Sequence, residues 1–342
     1  MYKKPDIFLC LRSTSLHRSF SAIERMFRPI FSIISVACTA MGVMGTMIPG
    51  YHQTRRPQVH FSPPTNFMND PNGLFYYNGT YHMYYQYNPT ANTAGNQHWG
   101  HAISTDLYHW QNKPIAISPE SSDQGIFSGS AVIDVNNTSG FFGSQPTGNP
   151  GIVAIYTLNT PSTQTQNIAY STDGGYTFTK YSGNPVIDIN SNQFRDPKVI
   201  WHAPTSKWVM AVAKPTSFTV VFYTSSDLKS WTKASEFSNQ GWLGIQFECP
   251  NLVEIPLHNS DQQDSGKTKW VLVVSVNPGA PQGGSFTQFF PGEFDGTKFT
   301  PEDNAARWVD FGKDNYAMQF FYGTSKTLGV GWVSKVTVPP YA

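Results

Sequence analysis

One element returns along this chain at regular intervals, and it constrains the fold more than any other feature. Ser104-Thr105-Asp106-Leu107-Tyr108-His109-Trp110 recurs as Ser225-Ser226-Asp227-Leu228-Lys229-Ser230-Trp231. Ser171-Thr172-Asp173-Gly174-Gly175-Tyr176-Thr177-Phe178 lies between them, and Glu293-Phe294-Asp295-Gly296-Thr297-Lys298-Phe299 is a looser fourth copy. The four aspartates stand 67, 54 and 68 residues apart. Each copy reads as a strand end, a turn anchored by an Asp side chain, and an aromatic that opens the next strand. Self-similarity at such a period marks a repeated supersecondary unit. Short strand runs fill the gaps in groups: Gly129 to Asp134, Ile152 to Leu158 and Ile168 to Ser171, then Lys198 to His202, Trp208 to Ala213 and Thr219 to Thr224. Leu252 to Ile255, Lys269 to Val276 and Phe286 to Phe290 form the next group. Four short antiparallel strands per unit predict an all-β fold of radially arranged blades. The expectation is a five-bladed β-propeller with an incomplete last blade, beginning near Asp314 and unfinished at Ala342. A β-sandwich of similar strands would not account for the regular return of the turn.

Composition sets limits on partners and place. The 342 residues carry a net charge of +1, and the main body has no Lys/Arg cluster, which argues against a nucleic-acid partner. No stable protein partner is inferable. The first fifty residues differ from the rest, so the propeller is expected over 57–342. Lys3, Lys4, Arg12, Arg18, Arg25 and Arg28 precede an uncharged run from Ile30 to Tyr51. Basic flank, apolar stretch and small residues at Cys38 to Ala40 read as a secretory signal near residues 26–48, with Met26 as the natural start. A single membrane anchor is the competing reading, because the run approaches the ~20 residues that span a bilayer. Export would make Asn78, Asn136 and Asn137, each in an Asn-X-Ser/Thr sequon, glycosylation acceptors. Beyond the signal Cys249 stands alone, so the body forms no internal disulfide.

Acids recur where innermost strands should begin. Asp70 sits in Phe67-Met68-Asn69-Asp70-Pro71-Asn72-Gly73, ahead of two aromatic runs joined by Asn78-Gly79, a β-hairpin signal. Taken singly, Asp-Pro-Asn-Gly reads equally well as turn chemistry. Arg195-Asp196-Pro197, Glu248-Cys249-Pro250 and Asp314 hold comparable places in later units, with Phe127-Ser128-Gly129-Ser130 in the second. Equivalent positions of radial repeats converge on the axis, so Asp70, Asp196 and Glu248 are expected to face one another in one pocket. Converging carboxylates suit a hard metal or glycoside hydrolysis. Calcium prefers alternating oxygen ligands within one short loop, which these dispersed acids do not supply. His98 and His101 have ligand-like spacing but read as polar positions around a strand. Glycoside hydrolysis needs one ionised and one protonated carboxyl, and crowding supplies the difference in proton affinity. Phe67, Gln86, Trp99, Arg195, Tyr316 and Trp332 are candidates to line a sugar site.

At these residues the chain resembles a known family. Phe67 to Gly73, Gln86-Tyr87-Asn88-Pro89, Trp99-Gly100-His101-Ala102, Phe127 to Ser130, Phe194-Arg195-Asp196-Pro197 and Glu248-Cys249-Pro250 are similar, in order, to the motifs of glycoside hydrolase family 32, nearest its fungal invertase group. The resemblance runs from about residue 57 to about residue 332. It implies a five-bladed propeller and retaining hydrolysis of β-D-fructofuranosides such as sucrose, with fructosyl transfer or a non-catalytic sugar-binding remnant as alternatives. It further implies Asp70 as nucleophile, Glu248 as acid/base and Asp196, with Arg195, as transition-state stabiliser. Asn69, Gln86 and Ser128 would contact the bound fructose. No metal or organic cofactor is implied. The sequence departs from the family's pattern at Ala94, where some relatives carry Trp, and after Gly331-Trp332, where the expected continuation and a C-terminal β-sandwich are missing. The resemblance therefore reads the chain as C-terminally truncated.

Overall fold

The computed structural model describes the backbone at residues 6–9, and residues 56–57, 59–143, 151–258 and 264–333. The expected signal and the tail from Ser334 onward lie outside the described residues. Among the described residues, no helix is long and apolar enough to cross a membrane.

The chain builds a β-propeller from consecutive antiparallel sheets. Blade I pairs Phe67–Tyr77, Thr80–Asn88, His98–Ser104 and Gln111–Ile117 in that order. Blade II follows with Gly125–Ile133, Ile152–Asn159, Gln164–Ser171 and Thr179–Lys180. Blade III is Arg195–His202, Lys207–Lys214, Thr219–Ser225 and Thr232–Ser238. Blade IV is Phe247–His258, Asp264–Val276, Phe286–Phe294 and Phe299–Pro301, with Arg307–Trp308 also pairing on its third strand. Four blades are complete, not five. After them the described chain supplies only Asn315–Phe320 and Gly329–Val333, and Asp6–Leu9 pairs on the outer edge of the second to make a three-stranded sheet. This closing sheet packs between blade IV and blade I, where Tyr76 donates its backbone N–H to Tyr322 O and Tyr322 donates to Leu74 O.

The recurring Asp turn joins the third strand to the fourth in every blade. Leu107 N–H and Leu228 N–H donate to the hydroxyls of Ser104 and Ser225, at 2.8 and 2.9 Å. Asp227 Oδ1 accepts from the N–H groups of Lys229 and Ser230 at 2.9 and 2.7 Å, as Asp106 does from Tyr108 and His109. These bonds hold Leu107 and Leu228 at φ 70° and 63°, a left-handed conformation that a bulky side chain rarely adopts. The strained leucine is driven inward. Leu228 is fully buried in the apolar layer between blades II and III, beside Val199, Met210 and Phe194. The turn thus closes a blade and plugs the seam against its neighbour.

Candidate active site

Every innermost strand carries a two-for-one bulge at the same depth. Asn69-Asp70 lie opposite Gln86 alone, Phe127-Ser128 opposite Thr157, Asp196-Pro197 opposite Val212, Cys249-Pro250 opposite Val274, and Ala317-Met318 opposite Gly331. Bulges bend a strand and re-aim its side chains, and they gather beside functional sites. In three of them the first extra residue has positive φ: Asp196 at 65°, Cys249 at 47° and Ala317 at 51°. Strain of this kind persists only where surrounding structure over-determines it.

The bulges place the acids on a staircase. The residue just before the bulge contributes Arg195, Glu248 and Tyr316. The first extra residue contributes Asn69, Asp196 and Cys249, and the second contributes Asp70 and Ser128. Asp70, Asp196 and Glu248 therefore do not hold equivalent positions, as the repeat suggests. Each lies one residue further along its strand than the last, in the order Glu248, Asp196, Asp70. Proline misleads the alignment: Pro197 and Pro250 lie inside their bulges, whereas Pro71 follows its own and pairs with Tyr85. Asp314 does not join them. It precedes the bulge of the closing sheet and closes a loop instead, accepting from Ser285 N–H at 3.1 Å and donating its own N–H to Ser285 O.

Each level has its own bonding. On the first, Arg195 donates through Nε and Nη2 to Glu248 Oε1 at 2.9 and 2.8 Å, and the Tyr316 hydroxyl donates to Glu248 Oε2. Arg195 Nη2 also reaches Gln246 Oε1 at 3.2 Å, and its Nη1 reaches Gln164 and Gln193 at 3.3 Å. On the second, Cys249 N–H donates to Asp196 Oδ2 at 3.0 Å, while Asp196 N–H donates to Thr157 Oγ1 at 3.1 Å. On the third, Asp70 Oδ2 accepts from Ser128 Oγ at 2.7 Å, and Oδ1 accepts from Trp332 Nε1 at 2.8 Å and Asn69 Nδ2 at 3.1 Å. The Cys249 thiol stands 3.5 Å from Oδ2 of both Asp70 and Asp196 and joins the two lower levels.

Burial and crowding act on the two deeper acids. Desolvation raises the pKa of Asp70, and the Glu248 charge adds to the rise. Hydrogen bonds from Ser128, Trp332 and Cys249 pull it back toward the ionised form. Asp196 is pushed up to about 7, first by burial and then by Glu248, against the pull of Arg195.

Most of the expected residues meet in this pocket, though some serve it differently. Trp99 is 0% exposed and offers no face to a ligand. It packs between blades I and II, and its indole N–H donates to Phe127 O at 3.0 Å. Gln86 is likewise buried and donates to Ile126 O at 3.0 Å. Both fix the bulge that carries Ser128. Trp332 and Tyr316 were expected as aromatic walls, and they act here as N–H and O–H donors to Asp70 and Glu248. His101 packs in the wall of blade I, its Nε2 3.2 Å from His82 Nδ1. Sequence reasoning passed over Cys249, Thr157, Gln164, Gln193 and Gln246. Only Cys249 left a signal, its place beside Glu248; the others reach the site from strands and loops that no motif marks.

Fold and pocket together define a β-propeller whose bulged inner strands converge on three acids. The Glycosyl hydrolases family 32 N-terminal domain matches residues 60–341. An invertase of Schizosaccharomyces pombe is 50% identical over 306 residues, covering 86% of this chain and 52% of the relative. An extracellular exo-inulinase of Meyerozyma guilliermondii is 46% identical over 288 residues, covering 82% of this chain and 55% of the relative. The structure of β-fructofuranosidase from Schwanniomyces occidentalis complexed with fructosyl-erythritol superposes with a TM-score of 0.77 at 52% identity, covering 82% of this chain and 54% of that one. The chain belongs to glycosyl hydrolase family 32. It spans about half the length of the relatives it matches.

Proposed function

We propose that this chain carries the catalytic propeller of a retaining β-fructofuranosidase, which hydrolyses terminal β-D-fructofuranosyl residues of sucrose and related fructosides. One observation carries the reading. Asp70 is a buried carboxylate with both oxygens held by donors, Trp332 and Asn69 on one, Ser128 and Cys249 on the other. Donors of this number favour the ionised form against the cost of burial, and they fix its direction. Asp70 is therefore suited to attack the anomeric carbon of fructose and form an ester. Glu248, higher on the staircase, protonates the departing glycosidic oxygen and then takes a proton from the water that cleaves the ester. The product keeps its configuration. Asp196, held by the Cys249 N–H, accepts hydrogen bonds from fructose hydroxyls that strengthen as charge develops on the ring. Asn69, Gln86, Trp99, Ser128, Arg195, Tyr316 and Trp332 bind fructose or position the groups that do.

The closing sheet stands as the inner part of a fifth blade. Its bulge at Ala317-Met318 repeats those of the four complete blades, which supports that reading. Secretion fits the basic and apolar N-terminal segment and the extracellular relative. The test is release of sugars from sucrose by the purified chain. Equal amounts of glucose and fructose are expected. Glucose in excess would mean fructosyl transfer, and no release with sugar still bound would mean a binding protein.

A further inference from the structure

Below the staircase lies one more polar level. The first paired residue past the bulge is Lys198 in blade III, Asn251 in blade IV and Gln319 in the closing sheet. All three are buried. Each fastens the backbone of another sheet: Lys198 Nζ donates to Phe320 O and Gln319 Nε2 donates to Gly129 O, both at 2.7 Å. Asn251 does more. Its Nδ2 donates to Met318 O at 2.8 Å and to Cys249 O at 3.3 Å, and its Oδ1 accepts from Phe320 N–H at 3.3 Å. Three backbone groups on two strands thus find their partner in one carboxamide.

Those contacts fall on two bulges at once. Cys249 belongs to the bulge that follows Glu248, and Met318 to the bulge that follows Tyr316. Cys249 and Ala317 carry the positive φ of these bulges, 47° and 51°, a conformation that persists only under outside restraint. Asn251 supplies restraint to both strands, and Ser275 Oγ adds to it by accepting from Ala317 N–H at 3.0 Å. Glu248 and Tyr316 are the residues next to these bulges, and the Tyr316 hydroxyl donates to Glu248 Oε2. An apolar side chain of the same size would fill the site but hold neither bulge.

We infer that Asn251 is a positioning residue, whose carboxamide locks the two bulges together and so keeps Tyr316 and Glu248 in register. The inference rests on the proposed hydrolase reading for its consequence, proton transfer by Glu248, and on the three bonds for the lock itself. The full chain is compared on sucrose and on a β-fructofuranoside whose good leaving group departs without a proton. Asn251→Leu should lower kcat/KM on sucrose about tenfold, and on the activated substrate by less than about threefold. Ser275→Ala removes the other hold on the Ala317 bulge; it should show the same selectivity and serves where Asn251→Leu does not fold. In the Tyr316→Phe protein, Asn251→Leu should cost less than about threefold more on sucrose, because the group it positions is gone. Equal losses on both substrates, or losses that multiply fully in the double variant, would make Asn251 a packing residue and overturn the inference. No loss on either substrate would overturn it too. Amide exchange read by mass spectrometry separates the lock from the hydrolase reading. Asn251→Leu should speed exchange in the peptide that holds Phe320 and leave the outer strands of blade II as in the wild type. A wild-type chain that hydrolyses neither substrate would sink only the hydrolase reading, whereas unchanged exchange at Phe320 would sink the lock.

Discussion

Two sets of acids in this propeller are built from the same residue types and do opposite things. Asp106, Asp173, Asp227 and Asp295 sit in the turns between third and fourth strands, Asp106 and Asp295 exposed and Asp173 and Asp227 half-buried. Asp70, Asp196 and Glu248 sit on inner strands and converge. At Asp227 partial burial pushes the pKa up, but the N–H groups of Ser230 and Lys229 and the Ser225 hydroxyl outweigh it, and the carboxyl ends below its ordinary value. At Asp196 burial and the Glu248 charge win, and the pKa rises to about 7. The turn acids bind backbone that would otherwise lack partners, so their ionisation favours the fold. Asp70 and Asp196 are desolvated and crowded, so their ionisation opposes it. The turn acids stabilise the scaffold, and Asp70 and Asp196 draw on that stability.

The contrast breaks most visibly at Asp70. Asp70→Asn should cut turnover by on the order of 10⁴-fold or more, the scale seen when a covalent nucleophile is lost, with thermal unfolding unchanged or raised. A variant that lost activity and stability together would put Asp70 with the scaffold acids instead.

Asp196→Asn should lower kcat/KM by on the order of 10²-fold, as removal of one charge-stabilising group does, and stabilise the protein at neutral pH. The sign follows from linkage. The folded pKa of about 7 lies above the unfolded value of 3.8, so this carboxyl's contribution to stability is full below pH 3.8 and is lost as pH rises through about 7. At pH 8 the variant should gain roughly 2–4 kcal/mol, at ~1.4 kcal/mol per pKa unit. Urea unfolding of both proteins at pH 4 and pH 8 would show the gain only at the higher pH, and a variant less stable at both would refute the assignment.

Acid should attack a third place, the seam between blades I and II. His82 and His101 are buried there side by side, with Lys113 adding positive charge nearby and Asp173 opposing it. Burial, then Lys113, lowers the His82 pKa to about 4. Its contribution to stability is full above the unfolded value of 6.5 and is lost as pH falls through about 4, up to roughly 3 kcal/mol. His82→Phe should flatten the stability profile between pH 6.5 and pH 4. An unaltered slope would exclude His82 as its source.

The smallest effect belongs to a single turn. Asp227→Ala removes acceptors for two backbone N–H groups and should cost about 1–2 kcal/mol, the scale of a lost capping residue. Turnover on sucrose should be retained. Loss of activity without loss of stability would contradict the division between the two sets.

The same division explains what could be read from the chain beforehand. The turns are local: Ser104, Asp106 and Trp110 bond within seven consecutive residues, so their spacing counts the blades directly. The three acids were legible too, because each sits in a short motif at the start of an inner strand. Their one-residue offsets were not, since a bulge depends on the partner strand and proline gave a false register. The roles of Trp99 and Gln86 were hidden for a related reason. Which aromatic lines a pocket and which fills a seam depends on contacts with residues such as Phe127 and Ile126, more than twenty positions away. The expected propeller had five blades with the last incomplete; four blades are formed, and past Asn315 the described chain adds only two strands of its own to the closing sheet.

In the proposed reaction Asp70 takes the fructosyl unit and Glu248 moves the proton. The Glu248→Ala protein, given a β-fructofuranoside with a good leaving group, should form the ester quickly and hydrolyse it slowly. Rapid quenching, proteolysis and mass spectrometry should then find one fructosyl unit on the peptide that contains Asp70. An adduct on another residue, or leaving-group release with no adduct and with inverted fructose as product, would contradict the account.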